Sequence, residues 1–293
     1  MELPQSYVEH APLRALAGTV RTFWVQRTGA QPYAQRHLPT GGVELHCYIG
    51  ALPRLLGPLP TARVEMLPPR TTVVGARFWP GAASVILDLP ADELVGATVS
   101  LDEAVPGAAE PLGELLADAA TPDAAVNLLQ SYLLRQQERT TVRDPLVVEA
   151  VRRLMPWQPV GIGALTDHLA ISTSQLRRRF LATVGVGPKT LQRTLRFQGY
   201  LALAQAVPDR QQPGAALADL AAAAGYADHA HLSRECVRLA GLPPRELLGG
   251  SSDQCGCGHD HAASYRSFLP GPGPARGRRN DARFVQAPVV KGL

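Results

Sequence analysis

The chain has 293 residues, 45% of them hydrophobic and 18% charged, with a formal net charge of +4. That length exceeds one typical domain, so two domains and a tail are expected. No run approaches the roughly 20 apolar residues of a membrane span and MELPQSYVEH lacks the basic-then-apolar layout of a secretion signal, so the expectation is a soluble, cytoplasmic protein with no membrane partner.

Residues 1–18 read as a lead-in. From Val20 the pattern turns to short extended runs, VRTFWVQR, GGVELHCYIG, TARVEML, RTTVVGARFW and ASVILDLP, each bounded by Pro or Gly. They predict a small β-rich module over 1–140, a sandwich or partial barrel. Arg77, Phe78 and Trp79 are expected to pack rather than to wall a pocket. From Ala91 to Arg139 helical spacing takes over, with a short helix at PADELV and longer ones over Ala109–Ala119 and Asp123–Gln137. Val126, Leu129, Leu133 and Leu134 share a face that closes the sheet or, as the rarer use, pairs with a second subunit. Gln136 to Arg143, QQERTTVR, reads as the linker.

Asp144 is placed to cap a helix with Pro145 at its first position, and Leu146, Val147, Ala150, Val151 and Leu154 supply its buried face before Pro156 ends it. The next stretch organises the rest of the chain. Ser172 is a good N-cap, and Leu176, Phe180 and Val184 recur every fourth residue, which leaves Ser174, Gln175, Arg177 and Arg178 on or beside an exposed cationic flank. Gly185 and Gly187 stop that helix, and TDHLAI ahead of Ser172 is its partner, giving a helix-turn-helix geometry that places a second helix in a major groove.

A second copy follows at an offset of 56 residues. Leu176 maps to Leu232, Arg178 to Arg234, Gly185 to Gly241, Pro188 to Pro244, Leu191 to Leu247, and Ser172 to Asp228, another capping residue. Pro188 to Ala206 is long enough to be a rigid spacer at about 1.5 Å per residue. Successive major grooves on one face lie about 34 Å apart. VPDRQQPG then forms the loop into the second unit. Charge follows this division. Lys and Arg against Asp and Glu number 11 and 14 in residues 1–143 (−3), 12 and 8 in 144–250 (+4), and 6 and 3 in 251–293 (+3), so the excess lies where a phosphate-facing domain needs it.

At these residues the chain resembles the AraC/XylS family of bacterial transcription regulators. The resemblance runs from about Asp144 to Leu248 and rests on LTDHLAIS at 165–172, L-RRRF ending at Phe180, G-x-x-P from Gly185, Arg196, and Leu220 to Arg234. Thr166, Tyr226 and Cys236 depart from the family's usual Ala, Phe and Phe, and the last points to a thinner core under the second unit. The resemblance implies an α+β multidomain protein whose C-terminal domain, 144–249, is all-α, with units over about 144–187 and 208–248 joined by helix 188–206. It implies that Ser174, Arg177 and Arg178 contact the first half of a site in double-stranded DNA, and His229, His231, Ser233 and Arg234 the second. Gln175 is a further candidate on the same flank, and Lys189 is placed as a phosphate contact. RNA polymerase, a small-molecule effector and a second copy of the chain are the other candidate partners. Residues 15–135, through F-x-P-G-A at Phe78 and L-x-x-P-A at Leu87, resemble a module that precedes this domain in a subset of AraC-like regulators.

The tail, 250–293, is Pro-, Gly- and Arg-rich. Cys255, Cys257, His259 and His261 alternate there and form a candidate Zn(II) or Cu(I) site, although their spacing is not that of a zinc finger. The alternative function is accordingly a metal- or thiol-responsive protein, or a metal-sensing regulator. The four cysteines form no recognisable disulfide framework, which agrees with a reducing compartment. G-x-S-x-G, H-E-x-x-H, phosphate-loop and dinucleotide fingerprints are absent from the sequence, so an enzyme is not expected.

Overall fold

A computed structural model describes residues 5–87, 89–139, 144–158, 160–206, 215–249 and 268–269. The first region is built on a six-stranded antiparallel sheet. Its strands are β1 (Ser6–His10), β2 (Val20–Arg27), β4 (Glu44–Tyr48), β5 (Arg54–Leu56), β7 (Thr72–Phe78) and β8 (Thr98–Ser100), in the order β1-β2-β7-β4-β5-β8. A separate two-stranded ribbon pairs β3 (Tyr33–His37) with β6 (Arg63–Leu67).

The period of two sorts the strands of the sheet into two faces. Phe23, Val25, Leu45, Cys47, Leu55, Val74 and Ala76 are buried on one face, against α3 (Ala109–Ala117) and α4 (Pro122–Arg139). Val126, Leu129 and Leu133 of α4 lie in this core, so that helix closes the sheet. Trp24, Gln26, Glu44 and His46 alternate onto the other face, where the ribbon folds across them: Gln26 Nε2 donates to Gln35 Oε1 at 2.8 Å and Tyr48 Oη to Glu65 Oε1 at 3.0 Å. Gly75 sits beneath the Trp24 ring, where a Cβ would lie 2.2 Å from the indole, so no larger residue fits this register.

Several stretches differ from the sequence reading. ASVILDLP, expected to be extended, opens with helix α1 (Ala83–Leu87). The Pro80-Gly81 turn, with Gly81 at φ +77°, carries the chain off the sheet, and Ala82, Ala83, Ile86 and Leu87 then bury at helical spacing. A short apolar run does not distinguish strand from helix by periodicity. The lead-in contains β1, an edge strand too polar to register, and β3, β5 and β8 are likewise short or polar. The first half of the expected linker, Gln136–Arg139, is the last turn of α4; residues 140–143 lie outside the described residues. PADELV forms a 3-10 turn, Ala91–Leu94, and α2 (Leu101–Ala104) follows β8.

The second region is helical: α5 (Pro145–Arg153), α6 (Ile162–Leu169), α7 (Thr173–Val184), α8 (Pro188–Ala206), α9 (Ala215–Ala223), α10 (His229–Ala240) and α11 (Pro244–Gly249). Two cores divide α8 between them. Leu191 and Leu195 bury with Leu165, Leu176 and Phe180; Phe197, Tyr200 and Leu201 bury with Leu217, Leu232, Cys236 and Leu247. At 1.5 Å per residue the 19 residues of α8 span about 28 Å, which sets the distance between the units. The expected loop, 207–214, lies outside the described residues.

The β-rich region touches both units. Trp79 packs against the sheet core and the first helical core, and Ser84 Oγ donates to Thr183 O of α7 at 3.3 Å. At the second unit Ala62 N donates to Leu239 O (2.7 Å), Arg36 Nη1 to Ala240 O (3.1 Å), and Gln198 Nε2 to Pro39 O (2.6 Å). Among the described residues no helix is long and apolar enough to cross a membrane.

Candidate nucleic-acid interface

Helix α7 starts at a reciprocal cap: Ser172 Oγ accepts from Gln175 N at 3.1 Å and Gln175 Oε1 accepts from Ser172 N at 3.0 Å. Leu176, Phe180 and Val184 are buried, and Ser174, Gln175, Arg177 and Arg178 are exposed. Ser174, Arg177 and Arg178 stand at i, i+3 and i+4, one strip of the surface. Gln175 sits beside them with its carbonyl oxygen committed to the cap. The adjacent Arg179 is tied down, its Nη1 2.5 Å from Asp144 Oδ2 at the start of α5. Asp144 also accepts from Leu146 N and Val147 N, so one carboxylate caps α5 and anchors α7. The helix ends at Gly185 in the left-handed region, φ +84°, whose N–H is shared between Phe180 O and Leu181 O.

The second copy repeats this at the same offset, since α10 spans His229–Ala240 where α7 spans Thr173–Val184. Asp228 Oδ1 accepts from His231 N at 2.6 Å, and Gly241 closes the helix at φ +74°. His229 and Arg234 are exposed, while Ser233, half-buried, lies one turn from His229 with Oγ 3.5 Å from Nε2. His231 is drawn partly inward, edge-on to the buried Tyr226 ring at 5.2 Å. Cys236 is fully buried at the position of Phe180, and burial pushes its thiol up to about 12. Arg193 of α8 holds Glu235 through two contacts, 3.0 and 2.6 Å, the counterpart of the Arg179–Asp144 tie with the charges reversed. Lys189, in the first turn of α8, is exposed. No hydrogen bond or ion pair joins the α7 set to the α10 set among the described residues. Cys255, Cys257, His259 and His261 lie outside the described residues.

Sequence reading missed a second polar set, on the sheet face under the ribbon. Arg77 bridges Glu9 Oε1 (2.6 Å) and Glu44 Oε1 (3.1 Å), so it is the centre of a buried ion network and not a plain packing residue. Burial works against the Glu44 charge, but Arg77 and His46 outweigh it and hold the carboxyl far below its usual range. Burial lowers the His46 imidazole, and the nearby His37 ring, with Tyr48 and Arg54, holds Glu65 down to about 2. The available signal was polar residues at alternate positions of otherwise apolar strands, as in ELHCY.

Residues 165–249 match the helix-turn-helix domain family HTH_18, and residues 8–100 match a domain of unknown function, DUF6597. The chain is similar to the HTH-type transcriptional regulator VirS of Mycobacterium tuberculosis, 31% identical over 138 residues, which cover 46% of this chain and 38% of VirS. It is also similar to a putative AraC-like transcription regulator of Streptomyces lividans, 36% identical over 103 residues, 34% of this chain and 32% of that one. The chain thus spans about a third of the length of these curated relatives. The crystal structure of ToxT from Vibrio cholerae aligns with 77% of this chain and 95% of its own, at 11% identity and a TM-score of 0.41.

Proposed function

We propose that the chain, which is similar to AraC-like regulators through its helix-turn-helix domain, is a sequence-specific regulator of transcription that lays α7 and α10 into successive major grooves of one DNA duplex. The supporting observation is the repetition: one capped helix with an exposed basic flank occurs twice at a fixed offset, joined by a helix shared between both cores. In this reading Arg177 and Arg178, with Ser174 and Gln175, meet base edges in the first groove, and His229, His231, Ser233 and Arg234 meet the second. An arginine fork donating to guanine O6 and N7 discriminates by about 1–3 kcal/mol. Lys189 meets phosphate, where a helix N-terminus and a positive charge act together. The domains divide at 140–143, and the β-rich module receives an effector or a second copy of the chain; RNA polymerase is the partner at the promoter.

Site selection from random duplexes with the purified chain tests this, followed by salt titrations of two variants. Arg178→Ala is expected to relax preference at one base pair. Lys189→Ala is expected to weaken binding to every sequence and to reduce the salt slope by about one. Equal losses on selected and random DNA for Arg178→Ala would remove its reading role, and failure to enrich any sequence would remove the function.

A further inference from the structure

We propose that His37, His46 and Glu65 form a binding site for one divalent first-row transition-metal ion between the ribbon and the main sheet. The three residues come from separate strands, β3, β4 and β6, yet one donor atom from each lies within 4.8 Å of the other two. Donors on a tetrahedral Zn(II) at about 2.0–2.2 Å each lie about 3.4 Å apart, so the side chains close the set by drawing together by about 1 Å.

The hydrogen bonding around these atoms leaves the right ones open. His37 Nε2 is buried and faces Glu65 Oε2 at 3.2 Å, so a ring nitrogen and a carboxylate oxygen converge on one point. A metal ion placed between them would take both atoms as ligands in place of their mutual contact. Glu65 divides its oxygens: Tyr48 Oη (3.0 Å) and Arg54 Nη2 (3.4 Å) hold Oε1, which leaves Oε2 facing the histidine. Glu44 repeats the pattern, with Arg77 on Oε1 and Oε2 3.3 Å from His46 Nε2. Such outer contacts orient ligands in protein metal sites. The Trp24 ring meets His46 edge-on at 5.0 Å and fixes the imidazole plane from the other side.

Two imidazoles and one carboxylate suit Zn(II) or Fe(II), whose three-ligand sites keep positions open for water or a small ligand. A small pocket lined by His46, Arg54, Leu56, Glu65 and Thr98 reaches this point. The ribbon that supplies His37 and Glu65 also carries Arg36, which donates to the last residue of α10, so the ion would lie one residue along the strand from a contact with the second recognition helix.

The experiment uses the full chain with Cys255→Ser, Cys257→Ser, His259→Ala and His261→Ala, which removes the tail donors, stripped with a chelator and dialysed against Zn(II) and, separately, Co(II). The site predicts one ion per chain, a Co(II) spectrum without a thiolate charge-transfer band, and a metal-dependent rise in melting temperature. His37→Ala, Glu65→Gln and His46→Gln should each weaken binding at least about tenfold and abolish that rise. Should His46→Gln lose its circular dichroism, the other two variants decide. No retained ion in the tail-substituted chain, or retention unchanged by His37→Ala and Glu65→Gln, overturns the proposal.

Discussion

The two helix-turn-helix units share a plan and differ in how firmly each carries it out. The first has a two-way cap and a phenylalanine at its centre; the second has a one-way cap at Asp228, and Cys236 where Phe180 stands. Two arginines face out from α7 at positions 177 and 178, whereas the equivalent positions in α10 are Ser233 and Arg234. Their supports also differ. The end of α7 presses on the Ala91–Leu94 turn, while the end of α10 accepts hydrogen bonds from Ala62 N, just before β6, and from the Arg36 side chain of β3. Duplication supplies the geometry, and the strength of each copy depends on the residues that fill it.

Core truncation should separate the units most widely. Phe180→Ala is expected to cost about 3–5 kcal/mol, since a fully buried ring leaves a cavity that the first core cannot close. Cys236→Ala should cost only about 1 kcal/mol. Urea melts of the full chain measure both, and equal losses would show that the second core is as tightly filled as the first.

The helix ends sharpen the contrast. Both Gly185 and Gly241 lie in the left-handed region, where a side chain costs roughly 1–2 kcal/mol. At Gly185 a Cβ would also lie 2.5 Å from Ala91 O, whereas at Gly241 the nearest atom is Arg36 Nη1 at 3.9 Å. Gly185→Ala should therefore lower the urea midpoint clearly more than Gly241→Ala; a reversed order would mean that the β-rich region does not bear on α7.

On DNA, Arg178→Ala should lose up to about 3 kcal/mol at one base pair, and Arg234→Ala less, because the neighbouring Ser233 offers no second cation. Competition binding on single-substituted sites reads this directly. The smallest effect concerns acid. Glu65 titrates near 2 in the folded chain against its ordinary 4.5, so its contribution is complete above about 4.5 and is lost as pH falls toward 2. Glu65 belongs to the ribbon that holds α10. The comparable Glu149 pairs of α5 are partly exposed and contribute little. Hydrogen exchange down that range should show α10 losing protection before α7, and the opposite order would contradict the ribbon's role as its support.

Features fixed by local chemistry were legible in the sequence. Ser172, Asp228 and Asp144 as caps, Gly185 and Gly241 as stops, and the 56-residue repeat all reappear in the structure, because caps, stops and helical stripes act within a few residues. Long-range pairing was not legible. β1 and β3 are strands because β2 and β6 pair with them, and ASVIL is a helix because a turn lifts it onto α4. The cluster of His37, His46 and Glu65 brings together three strands spread over 29 positions, a juxtaposition that no spacing rule records.

The most direct test of the account is hydroxyl-radical footprinting of the chain on a selected duplex, repeated with Arg178→Ala and Arg234→Ala. Two protected patches are expected on one face of the duplex, about 10–10.5 base pairs apart, with each variant weakening a different patch. A single patch, or two variants that weaken the same one, would contradict it.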